Sequence, residues 1–391
     1  MKVLETNFHR GWGGQPSRIL MVAEGMAQRG HDVTLAVPPG SILGERARAA
    51  GVRTFEEAHF RHPRHVVRAL ADRRALARHL DATPYDLVVA HGSQDLWTTV
   101  LARPKTGRAA GAPRGGVPPL AYTRHNTKRV EAHPFNRWLF RRVDHLIVVS
   151  ASVLPRFEPF FARGDLRRDR VSVIHSAYRP ERFHPGIDPA AFRAAAGLAP
   201  AAPLVGVVAR LVPDKGQDDL LRAAALLRSR RPEVRFLFAG RGTAETDLRG
   251  LAQDLGLGDA VRFLGFRDDV PEITASLAVS VLPSVDCDAS SAAIKEALAC
   301  GVPVVATDIG GASEILRDGE TGLVVPPRDP GRLATAIETL LADPPRAREM
   351  GRRGSADVAA RFTPDHLVTA TIAAYASILA SVRPAAASAR T

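Results

Sequence analysis

Two carboxylates eight positions apart, Asp288 and Glu296, bracket the start of the stretch VDCDASSAAIKEALACGVPVVATDIGG that opens at Val285. Glu296 falls inside a short segment that reads as a helix, Asp288 just ahead of it, and Ser290 and Ser291 stand where that helix begins. Serines suit the position because their oxygens satisfy free N–H groups at a helix N-terminus, and such N–H groups attract an anion or a sugar hydroxyl. A carboxylate at each end of the turn accepts hydrogen bonds from neutral hydroxyls, which is the chemistry of holding a sugar. A strand, Val302–Ala306, and a Gly310-Gly311 turn follow, ending at Glu314.

Loops of this kind need a scaffold that delivers several of them to one edge. Apolar strands alternate with amphipathic helices along the chain, which predicts parallel sheets with crossover helices. In the first half the strands read as Val3–Glu5, Val33–Val37, Asp86–Ala90, Leu120–Thr123, His145–Val149 and Val171–Ile174. Helices read as Ser17–Gln28, Val66–His79 and Ala151–Phe161 among others. The second half has Leu204–Ala209, Val234–Ala239, Val261–Phe263, Val279–Leu282, Val302–Ala306 and Gly322–Val325. At 391 residues the chain suits two doubly wound domains, joined where Pro180, Pro185, Pro189, Pro200 and Pro203 crowd together. The expected division is 1–185, 186–362 and a final helical segment 363–382.

The net charge of +12 is uneven: residues 1–200 hold 31 Lys and Arg against 17 Asp and Glu, and residues 101–150 alone hold 10 against 2. That asymmetry fits an anionic partner such as a membrane face or a phosphorylated glycolipid, or equally an Arg-rich composition giving solvated faces. The basic segment His59–Leu80 divides the same way, between a membrane-surface helix and the amphipathic cover of a sheet. No nucleic-acid module is recognisable. Two cysteines, Cys287 and Cys300, imply no disulfide framework, and no apolar run is long enough to span a bilayer. The expectation is a soluble cytoplasmic protein, in peripheral contact with the inner membrane face if the basic half binds there. Lys105–Pro119 reads as a Gly/Pro-rich loop and Arg383–Thr391 as a tail.

The succession Asp288, Glu296-Ala-Leu-Ala-Cys-Gly-Val-Pro-Val-Val-Ala-Thr, then Gly310-Gly-Ala-Ser-Glu314 resembles the sugar-nucleotide signature of family 4 glycosyltransferases, with Asp where that family usually has Glu. The resemblance implies an α/β chain of GT-B fold: two Rossmann-like doubly wound parallel-sheet domains facing across a cleft. It implies a retaining glycosyltransferase moving a sugar from a nucleotide-sugar donor to a hydroxyl acceptor, in lipopolysaccharide or other cell-surface glycan synthesis. In the same terms Arg210 and Lys215, in GVVARLVPDKGQDDLL, grip the donor diphosphate, whose growing charge an Arg fork and a Lys point charge neutralise without a metal. Glu296 meets the ribose, Asp288 with Ala289 and Ser290 the sugar, and Gly240, Phe266 and Arg267 the nucleotide. Gly310 and Gly311 contribute backbone N–H groups. A sugar-nucleotide epimerase of the same architecture is the alternative.

In the first half, ligands of open α/β sheets are expected at the carboxyl ends of strands. FHRGWGGQPSR follows the first strand, and Gly13 and Gly14 fit the Gly-rich loop of GT-B enzymes; His9 and Gln15 beside them are expected on the acceptor. His91 ends another strand and is also expected on the acceptor side, or equally as a satisfied histidine. His125 ends Leu120–Thr123, and the resemblance implies that it assists at the anomeric centre, with Arg124 and Asn126 as acceptor-side neighbours. Asp286-Cys-Asp288 has an Asp-x-Asp spacing that binds metal in another fold. With counter-charge already supplied, no metal or other cofactor is expected.

Overall fold

Apolar runs rich in Val, Leu and Phe become two all-parallel sheets in the computed structural model, which describes residues 1–61, 66–103, 117–199, 201–286 and 288–382. The first sheet holds β1 (Lys2–Thr6), β2 (Asp32–Ala36), β3 (Arg53–Phe55), β4 (Leu87–Ala90), β5 (Leu120–Arg124), β6 (His145–Val148) and β7 (Val171–Val173). Its order is β3-β2-β1-β4-β5-β6-β7. The second holds β8 (Leu204–Val208), β9 (Arg235–Ala239), β10 (Val261–Gly265), β11 (Val279–Leu282), β12 (Val304–Thr307) and β13 (Gly322–Val325), in the order β10-β9-β8-β11-β12-β13. Each order reverses once, between β1 and β4 and between β8 and β11. At such a switch point neighbouring loops part and leave a crevice.

Alternation along the strands sorts side chains to the two faces of the second sheet. Val205, Val207, Phe236 and Phe238 lie in one apolar core, Leu204, Leu237 and Ala239 in the other. Both faces are covered by helices, so β4, β8 and β11 are apolar nearly throughout.

The chain divides into two units: Met1–Ser176 together with the residues from Pro364 onward, and Ala177–Thr363. The first division falls ahead of the expected 185/186 because Tyr178 and Phe183 are buried in the second unit's core. Helix Pro364–Val382 lies against helix Gly14–Gln28 within the first unit. A Cβ on Gly25 would stand 2.4 Å from Val368 Cγ2, so glycine is what lets the two helices approach.

The edge strand β3 escaped the sequence reading, being three residues long with an exposed Arg at its start. The helix expected over Ala151–Phe161 is a 3-10 turn, Ala151–Phe157, containing Pro155, followed by the short helix Glu158–Phe161. The proline lacks the N–H that an α-helix would use there. Helix Val66–Ala82 packs on helix Ser93–Ala102 and buries Ala75, Leu76 and Leu80, as a cover does. Residues 62–65, 104–116, 200, 287 and 383–391, and with them most of the expected basic loop and the whole expected tail, lie outside the described residues. Among the described residues no helix is long and apolar enough to cross a membrane.

Candidate active site

At the second unit's switch point the loops after β8 and β11 are pressed together. Gly216, at φ +61, has no room for a Cβ, which would lie 2.0 Å from the Pro283 carbonyl oxygen. The Val285 N–H donates to Asp214 O at 3.0 Å, pinning one loop to the other. This contact delivers Lys215 to Asp288: Nζ donates to Oδ2 at 2.7 Å, and the Ser284 hydroxyl donates to the same oxygen at 3.2 Å. The side chains are only 16% and 10% exposed, so the pair is shielded from water on most sides. The loop after β12 closes on it from below. Gly310, at φ +63, would put a Cβ 1.7 Å from Asp288 O, and the Gly311 N–H donates to that oxygen at 3.0 Å.

Helix Ala292–Ala299 starts at Ser291, whose hydroxyl accepts from the Ile294 N–H at 3.3 Å. Ser290 instead accepts from the fully buried Lys295 Nζ at 2.7 Å. Glu296 is half-buried one residue on. Burial pushes its carboxyl up to about 7, against the pull of Arg182 and Lys295. Cys300 is a buried thiol pushed up to about 12 by the same desolvation. Arg210 is exposed just past β8, its carbonyl accepting from Gln217 Nε2 at 2.9 Å. An exposed guanidinium, an ammonium and two carboxyls thus stand on the loops and helix at this switch point. That set can hold a ligand carrying both an anionic group and hydroxyls.

Several residues expected on the donor have other work in this structure. The Gly311 N–H is committed to Asp288. Gly240 gives its N–H to Gly265 O at 2.8 Å, and at φ +140 its missing Cβ admits Ala209 O, which would be 2.0 Å away. Both glycines therefore set loop geometry. Arg267 is paired with Asp269, its Nε 2.7 Å from Oδ1, whereas Phe266 is exposed and Ala289 buried. Glu245 is a first-turn acid whose partner is Arg249.

In the first unit His91 and His125, which end β4 and β5, are brought together, with His91 Nδ1 3.0 Å from His125 Nε2. His91 is 3% exposed and meets His125 and Glu5. Burial, followed by the nearby His91, Arg18, His9 and Arg124, holds the His125 pKa well below the usual value. Arg124 and Asn126, both part-exposed, make hydrogen bonds within their own loop. Arg124 donates to Asn126 O at 3.2 Å and Lys128 O at 2.8 Å, and Asn126 Oδ1 accepts from the Lys128 N–H. Gln15 Nε2 donates to His91 O at 2.9 Å, and burial lowers the His9 pKa beside it. Gly13 and Gly14 open helix Gly14–Gln28 with nothing near their absent side chains.

Sequence reasoning missed Glu5 and Tyr375. The Tyr375 hydroxyl donates to Glu5 Oε1 at 2.8 Å across 370 positions. A carboxylate directly after the apolar pair Val3-Leu4 in the KVLET strand was the available signal for Glu5.

Two family profiles match this chain: Glycosyltransferase Family 4 over residues 12–182 and Glycosyl transferases group 1 over residues 190–357. The chain belongs to the family 4 glycosyltransferases, and its two Rossmann-like units are those of the GT-B fold. Among relatives, it is 37% identical over 225 residues to D-inositol 3-phosphate glycosyltransferase 2 of Catenulispora acidiphila, covering 55% of this chain and 52% of that one. It is 38% identical over 221 residues to D-inositol 3-phosphate glycosyltransferase of Mycobacterium sp. strain JLS, covering 55% and 48%. The chain thus spans about half the length of the curated relatives it matches. Among solved structures, Anabaena Alr3699/HepE in complex with UDP superposes with a TM-score of 0.77 at 22% identity, over 96% of this chain and 100% of that one. A Rickettsia africae glycosyltransferase superposes at 0.81 and 17% identity, over 97% and 98%.

Proposed function

We propose that the protein transfers a sugar from a nucleotide-sugar donor to an acceptor hydroxyl with retention of anomeric configuration. The observation that carries this is the Lys215–Asp288–Ser284 cluster at the second unit's switch point, with Arg210 exposed beside it and Glu296 half-buried nearby. The donor diphosphate lies against Arg210 and Lys215, the sugar hydroxyls against Asp288 and Ser290, and the ribose against Glu296. As the bond from the anomeric carbon to the diphosphate breaks, negative charge grows on the departing oxygens, and the two cations stabilise it. The acceptor oxygen bonds to the anomeric carbon on the same face, and its proton passes to the leaving diphosphate. Counter-charge comes from side chains, so the reading needs no metal ion.

Neighbours bound to UDP and to UDP-glucose support a uridine diphosphate sugar as the first donor to test. Relatives named D-inositol 3-phosphate glycosyltransferase make a phosphorylated polyol the first acceptor to offer, and cell-surface glycolipids the second. A nucleotide-sugar donor sets the reaction in the cytoplasm, where the basic charge of residues 1–200 favours an anionic acceptor or the inner membrane face.

The test is a melting-temperature panel with UDP-, GDP- and ADP-sugars in chelator, repeated with Glu296→Ala and Lys215→Ala. A donor at a hundred times its Kd stabilises the native state by about 2.7 kcal/mol. Mass spectrometry then reads transfer to the offered acceptors, and NMR coupling at the anomeric proton reads the configuration. A shift with one donor that both variants lose, followed by a retained product, is the expected result. No shift with any donor, or a Lys215→Ala turnover within a few-fold of wild type, would sink the assignment.

A further inference from the structure

A file of polar side chains runs through the first unit and is used by nothing described so far. It begins on helix Pro364–Val382 with Tyr375, passes to Glu5 at β1, then to His91 after β4, and ends at His125 after β5. The contacts along it favour one placement of the hydrogens. The Tyr375 hydroxyl donates to Glu5 Oε1 at 2.8 Å. The other carboxylate oxygen, Oε2, faces His91 Nε2 at 3.4 Å. Both atoms are buried and neither meets a hydrogen-bond partner of good geometry among the described residues, so the 3.4 Å approach is the contact through which each can be satisfied. A carboxylate oxygen that accepts there needs a hydrogen on His91 Nε2. With its one hydrogen on Nε2, His91 presents Nδ1 as an acceptor. His125 Nε2, 3.0 Å from it, must then donate.

We propose that Glu5 and His91 are positioning residues that lock His125 in one neutral tautomer, with the hydrogen on Nε2 and a lone pair on Nδ1, so that His125 offers a hydrogen-bond acceptor to a substrate hydroxyl. The surroundings agree. Burial, followed by the nearby His91, Arg18, His9 and Arg124, disfavours a second proton on His125. The buried Arg18 guanidinium, whose Nη2 donates to Ile174 O at 3.1 Å, interacts favourably with Glu5 and Tyr375 and balances the carboxylate charge. A lone pair recognises a hydroxyl and repels phosphate or carboxylate. This site therefore selects the neutral, nucleophilic end of an acceptor even where the acceptor carries an anionic group elsewhere. The inference about the hydroxyl rests on the transferase reading above; the tautomer itself does not.

The test reads the tautomer directly. Full-length protein labelled with 15N at histidine is examined at pH 7.5 by long-range proton–nitrogen correlation, with His91→Asn and His125→Asn used for assignment. Both rings are expected as Nε2–H species. His125 protonated on Nδ1, on both nitrogens, or averaged between tautomers would overturn the proposal. Glu5→Leu should turn His125 into a mixture of tautomers, whereas Tyr375→Phe, which leaves the Glu5–His91 contact in place, should leave it single. If Glu5→Leu does not fold, the wild-type spectrum and Tyr375→Phe still decide. A locked tautomer in a protein that transfers no sugar would refute the transferase reading alone. In an active preparation, a Glu5→Leu that folds and yields a tautomer mixture should lower kcat about tenfold or more with little change in donor KM. An unchanged kcat would refute the substrate role.

Discussion

Replacing Lys215 by Met removes the one ammonium that meets Asp288, leaving that carboxylate with the Ser284 hydroxyl at 3.2 Å as its remaining side-chain donor. Removing one partner of a fully buried pair costs about 3–5 kcal/mol, and an exposed pair contributes about 0–1. With side chains 16% and 10% exposed this pair lies nearer the buried limit, so Lys215→Met should destabilise the second unit by about 2–3 kcal/mol. Asp288→Asn keeps an oxygen for Ser284 and lets the Lys215 ammonium turn toward water, costing about 1 kcal/mol. The double variant should then fall short of the sum by about 1–2 kcal/mol, read from urea denaturation of the four proteins. Ligand binding supplies a second reading of the same pair. Asp288 competes with an incoming diphosphate for Lys215, so Asp288→Asn should tighten UDP about fivefold, equivalent to about 1 kcal/mol, while slowing transfer. Stabilities that add to within about 0.5 kcal/mol, or weaker UDP binding by Asp288→Asn, would refute the coupling.

Other consequences follow from single positions. Gly310→Ala, at φ +63 and with Asp288 O 1.7 Å from the new Cβ, should cost about 2–4 kcal/mol. Gly319→Ala, at φ +75 in open space, should cost only about 1–2, and equal melting temperatures for the two would show that loop contact is irrelevant. Because Glu296 is raised to about 7 from its ordinary value, the folded protein binds more protons than the unfolded chain between those values. Its contribution to stability therefore falls as pH rises through that window and levels off above pH 7. Glu296→Gln should gain melting temperature relative to wild type toward pH 8 and lose the gain toward pH 4.5; a gap independent of pH would remove burial as the cause. Donor affinity, measured by calorimetry, should instead strengthen from pH 6 to 8 as the carboxylate ionises, and the Gln variant should flatten that slope. Gly25→Ala drives a methyl into Val368 and should cost about 1–3 kcal/mol, with Val368→Ala in the same chain recovering part of it in thermal unfolding.

The strands and the second-unit loops were legible because their signals are local: Val279–Leu282 and Gly322–Val325 are apolar runs bounded by turns, and helix Pro364–Val382 has proline at its first position. The Ser290-Ser291 start was readable for the same reason, although which serine caps the helix was not. What escaped the sequence were pairings across distance. Lys215 and Asp288 are 73 positions apart, and the expectation gave them separate tasks where the fold makes them partners. His91 and His125 were read separately at two strand ends, yet they are hydrogen-bonded to each other. Arg124 looked like an acceptor contact because a basic residue at a strand end often binds a ligand. Its neighbouring carbonyls, which no motif displays, claim the guanidinium. The motif glycines carry a further demand that the sequence does not display: Gly240 and Gly310 let backbone oxygens approach closely.

The pairing of Tyr375 with Glu5 sets an order on the birth of the molecule. Synthesis delivers β1 first and helix Pro364–Val382 only after every strand of the second unit has left the ribosome. Until then the nascent first unit has all its strands but an open flank, with the Gly25 face of helix Gly14–Gln28 bare and the Glu5 carboxylate unsealed. A unit translated first is thus completed last, and a ribosome stalled anywhere in residues 177–363 holds a sheet whose keystone has not yet been made.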